Sequence, residues 1–148
     1  MTIARQLATI DRLCSEDFPA EHGRSAAGTA GPGYHLAELA TSEDFRETDG
    51  AARAETEEQF EAERDGLAQL LARRWGPPEP VSLAALPERS ARGEDIPEPW
   101  AALSAHVPDV HLWRPAGAHD RWVALGVSQW GSDLPYQLLA LVTEIDPP

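Results

Sequence analysis

The chain has 148 residues and a formal charge of −13, enough for one domain with a real core but short for two. That charge argues against unaided binding to nucleic-acid phosphates or to anionic membrane surfaces, both of which need clustered cations, and it permits a basic protein partner. No stretch approaches the roughly 20 apolar residues of a membrane-spanning helix; with no secretory h-region at the N-terminus, a cytoplasmic location is expected.

Cys14 is the single cysteine, so an internal disulfide is excluded and a reducing compartment fits. All twelve cations are arginine, and lysine and asparagine are absent. We read this as the codon bias of a GC-rich bacterial genome, which weakens any argument that a given arginine was chosen over lysine for its geometry.

Residues 1–18 predict an amphipathic helix. Ile3, Leu7, Ile10 and Cys14 recur at three- and four-residue steps, and Leu13 widens the stripe. The helix can pack on its own domain, the simpler reading, or serve docking or homodimer formation. Residues 19–33 have almost no bulky apolar side chain to repay the entropy of ordering, and predict a flexible linker. Residues 34–148 are expected to form a single α+β domain.

Between Glu43 and Asp65 stand ten carboxylates against three arginines, a net −7. A helix is expected from Thr48 or Asp49, either of which can cap it, to about Trp75, where Gly76-Pro77-Pro78 stops it. Phe60, Leu67 and Leu71 share one face, and the half before Phe60 is expected to project into water. Glu57, Glu61 and Asp65 are four apart and stack as a ridge of like charge. Such a ridge serves solubility or engages a cationic partner.

Residues 76–99 hold six prolines. Within them residues 81–86 suggest a short edge strand, and residues 100–106 a short helix. The last third reads as three strands, 109–114, 121–130 and 136–145, separated by turn chemistry at 115–120 and 131–135. The predicted fold is therefore α+β: an N-terminal helix and linker, then a long acidic helix packed on a three- or four-stranded antiparallel sheet.

Side chains alternate along a strand. Val123, Leu125 and Val127 make a core face. On the other side Trp122 and Trp130 flank the small residues Ala124, Gly126 and Ser128, a trough roughly 13 Å long at ~3.3 Å per residue. Trp113 and Tyr136 could line the same side from neighbouring strands. The trough could bind a ligand or a partner, or be filled by ordinary packing.

Phosphate-binding, nucleophile-elbow, zinc-protease and EF-hand motifs are absent, and no cofactor is expected. His106, Asp109, His111 and His119-Asp120 form a histidine cluster in which Asp109 and His111 share a strand face and His119 lies in the next turn, a weak constellation for a metal or proton shuttle. Cys14 sits on an apolar stripe and reads as packing. The reading preferred is a small acidic interaction protein, without catalysis, such as an inhibitor, immunity or adaptor protein. Its runner-up is a small-molecule binder or enzyme using the Trp122/Trp130 face.

Overall fold

The computed structural model describes residues 2–45, 50–131 and 133–148. The expected cap at Thr48 or Asp49 lies outside the described residues. Chain order is α1 (Ile3–Leu13), β1 (Gly23–Arg24), β2 (Gly28–Gly31), β3 (Tyr34–Thr41), α2 (Gly50–Trp75), β4 (Glu79–Ser82), α3 (Leu86–Ala91), α4 (Trp100–Ser104), β5 (Asp109–Trp113), β6 (Trp122–Gln129) and β7 (Tyr136–Thr143). All seven strands join one antiparallel sheet in the order β1-β2-β3-β7-β6-β5-β4. The class is α+β as expected, but the sheet is larger than three or four strands.

The extra strands come mostly from the segment read as a linker. Residues 28–31 pair with 34–37, with Gly31 opposite Tyr34 across Pro32-Gly33. Gly33 has φ +81°, and a proline followed by a glycine of positive φ is the signature of a type II turn. At two of its four positions the strand has no room for a side chain. A Cβ on Gly28 would lie 2.4 Å from the Leu36 carbonyl oxygen, and one on Gly31 would lie 2.6 Å from the Tyr34 ring. Composition alone made this segment look like a tether; ladder hydrogen bonds and close packing order it instead.

Two layers cover the sheet. On one face lie α1 and α2. Ile10 and Leu13 of α1 pack with Ala37, Leu39, Leu138 and Ala140, while Phe60, Leu67 and Leu71 of α2 pack with Val123, Leu125 and Val127. Leu67 and Leu71 are fully buried, and each such side chain contributes about 1.5–3 kcal/mol of transfer free energy. The helix ends at Trp75 as expected, with Gly76 at φ +86°. On the opposite face, residues 83–107 lay Leu83, Leu86, Trp100, Leu103 and Val107 over Val110, Leu112, Ala124, Leu139 and Leu141. Trp100 is fully buried, and its Nε1 donates to the Ile145 carbonyl at 3.0 Å.

One buried cation ties α1 to the sheet. Arg121 Nη1 donates to the Leu13 and Glu16 carbonyls, both at 2.7 Å, and the guanidinium lies 4.0 Å from the Phe18 ring centroid. The C-terminal carbonyls of a helix lack intrahelical donors and carry its negative dipole end, so a cation there is doubly favoured. Among the described residues, no helix is long and apolar enough to cross a membrane.

Candidate functional site

The sheet register decides first what happens to the tryptophan face. Trp113 stands opposite Val123, and Tyr136 opposite Gln129. Directly paired residues share a face, so Trp113 and Tyr136 lie on the α2 side, away from Trp122 and Gly126. Trp113 meets Trp75 edge-on at 5.9 Å, and its Nε1 donates to the Gly76 carbonyl at 3.0 Å. The expectation that Trp113 and Tyr136 line one trough with Trp122, Gly126 and Trp130 is thus corrected.

The trough is also full. A Cβ on Gly126 would lie 2.7 Å from Val107 Cγ1, 3.1 Å from the Asp109 carbonyl oxygen and 3.2 Å from Val110 Cγ1. The space left among Leu103, Val107, Val110, Ala124 and Gly126 has no room for a water molecule. Neither α1 nor residues 34–40 cover this face; the proline-rich segment and α4 do. Trp122 is half-buried, with Nε1 donating to Asp146 Oδ1 at 3.0 Å and the Arg114 guanidinium 5.0 Å from its ring centroid. Among the described residues, the stretch of this face around Gly126 therefore holds no open cavity.

Trp130 behaves differently. It lies past the end of β6, 59% exposed, and stacks on the His106 ring at 3.8 Å and 17°. His106 keeps 9% of its surface, and its Nδ1 is 2.6 Å from the Ser128 hydroxyl. Burial pushes its pKa down to about 4, so the ring is neutral at physiological pH.

His106 also lines a polar hollow on the α2 side, a cleft of about 240 Å³. The cleft opens where α2 crosses the ends of β6 and β7. Glu57, Glu61 and Arg64 form its helical wall, Val127, Gln129 and Tyr136 its sheet wall, and Pro108 and Asp109 its remaining side. The helix takes this path because Phe60 is buried beside the Tyr136 ring, with centroids 6.3 Å apart. One turn of α2 in either direction then presents Glu57 and Arg64 at the rim.

The charges in this cleft are unequally matched. Arg64 Nε lies 3.1 Å from Asp65 Oδ1, and its Nη1 lies 3.6 Å from Asp109 Oδ1. Glu57 and Glu61 are exposed, and neither joins an ion pair among the described residues. Tyr136 meets both: burial raises its pKa first, the Glu57 charge raises it further against the opposing Arg53, and a hydrogen bond donated to the Glu57 carboxylate and the Glu61 charge add to the rise. The ridge expected from Glu57, Glu61 and Asp65 is therefore divided. Its first two members edge the cleft, and its third is held by Arg64 and lies 3.8 Å from His111 Nε2.

The metal constellation does not assemble. Asp109 and His111 share the α2 side, but Arg64 takes the first and Asp65 neighbours the second. His119 is exposed at φ 55° in the turn beyond the far end of β5 from Asp109. Among the described residues no group of three or more histidine, cysteine or carboxylate side chains could hold a metal. The Cys14 thiol is buried in the core, and desolvation, then Asp11, raise its pKa to about 11, which keeps it in the thiol form at neutral pH.

Sequence reasoning marked His106 in the histidine cluster but missed its pairing with Ser128, the role of Arg121 and the cleft itself. Each joins residues far apart in the chain, and none has a local spacing that announces it. No family model, curated protein or solved structure matches this chain.

Proposed function

We propose that this protein works by binding another protein with a basic surface, as an inhibitor, immunity or adaptor protein of the cytoplasm would. The contact is the outer face of α2 together with the cleft below Glu57 and Glu61. The observation that carries this reading is the state of those two carboxylates: exposed, four residues apart, and outside any ion pair among the described residues. Like charges so placed repel each other, and a cationic partner relieves that repulsion while gaining from electrostatic steering. The filled trough supports the same reading, because the stretch around Gly126 that a small-molecule site on the Trp122/Trp130 face would use is packed by Val107 and Val110. At about 240 Å³ the cleft is also smaller than the ~300–1,000 Å³ of drug-sized ligand pockets. A homodimer built through the sheet edges is disfavoured, since β1 has two residues and β4 carries Pro80.

The test is affinity capture from a GC-rich bacterial lysate, with the wild type and a Glu57→Lys/Glu61→Lys variant as baits. A basic protein retained at low salt, released at high salt and not captured by the variant is the expected result. Capture that ignores both salt and charge reversal would refute the proposal, as would the absence of any basic protein at low salt.

A further inference from the structure

We draw no further inference here: the strongest candidate, the hollow of about 460 Å³ between the end of α1 and the β1–β2 hairpin, sets the exposed carboxylates of Glu16, Asp17 and Glu21 beside Arg12 and Arg24, and its one buried polar side chain, His35, is already engaged by the Glu16 carbonyl and the Phe18 ring, so nothing in the structure points to a ligand for it.

Discussion

The filled trough can be tested by the sign of one stability change. Gly126 lies within β6, and replacing it with alanine adds a single methyl group. On an open sheet face that change should be neutral or stabilising by about 0.4–1 kcal/mol, because glycine has more conformational entropy to lose on folding. In this structure the new Cβ would meet Val107 Cγ1 at 2.7 Å, with the Asp109 carbonyl at 3.1 Å and Val110 Cγ1 at 3.2 Å. The first contact is far inside van der Waals range, and one of the other two is backbone that cannot turn aside. Overpacking of this kind costs about 1–3 kcal/mol, so Gly126→Ala should destabilise by about 1–2 kcal/mol after the entropic gain is subtracted. Val107→Ala removes the closest atom. Alone it should cost about 1–2 kcal/mol for the lost methyls, but the double variant should be less damaged than the sum by about 1 kcal/mol. Urea unfolding followed by far-UV circular dichroism measures all three, with the slope m checked for constancy. A neutral or stabilising Gly126→Ala, or additivity of the pair within about 0.3 kcal/mol, would show that Val107 does not fill the trough.

Two further outcomes are expected. His106 has its pKa pushed from 6.5 to about 4 by burial, so the unfolded chain binds a proton that the folded one refuses between those values. Its contribution is complete above pH 6.5 and is lost as pH falls toward 4. The wild type should therefore lose about 1–2 kcal/mol more than His106→Gln between pH 7 and pH 5, and parallel stability curves for the two proteins would contradict this. Arg121→Met keeps the stem but leaves the Leu13 and Glu16 carbonyls without their donor; a loss of about 2–4 kcal/mol is expected from thermal or urea unfolding. A loss below about 0.5 kcal/mol would mean that Arg121 does not hold the end of α1.

The strands at the end of the chain were legible because their signal is local. Residues such as Val123, Leu125 and Val127 alternate with small ones, and the structure places β5, β6 and β7 over the segments so marked. The stop of α2 was legible for the same reason, since Gly76 supplies the positive φ and Pro77 cannot continue the helix. The β2–β3 hairpin was not, because Gly28 and Gly31 pack against Leu36 and Tyr34 by having no side chain. Hydrophobic pattern cannot register a strand that packs by absence. The candidate cleft was half legible: Glu57 and Glu61 stood out as a ridge, while Gln129, Tyr136 and His106 come from other elements.

By itself the sequence determined α1, α2, α4 and the strands β5, β6 and β7, and that α2 carries its acids outward, while α3 (Leu86–Ala91) lies where an edge strand and a loop were expected. Those properties follow from the period of apolar residues and from the backbone limits of glycine and proline, which act within a few residues. The tertiary structure alone decided which segment covers each face of the sheet. Strand alternation told that Trp122 and Gly126 share a side, but pairing of Trp113 with Val123 and of Tyr136 with Gln129 sent those two rings to the other. Register is a contact between distant parts of the chain, and a one-residue slip would reverse every assignment. The same long-range choice laid Val107 over Gly126 and left Glu57 and Glu61 at an open cleft, moving the candidate site from the tryptophan face to the acidic helix.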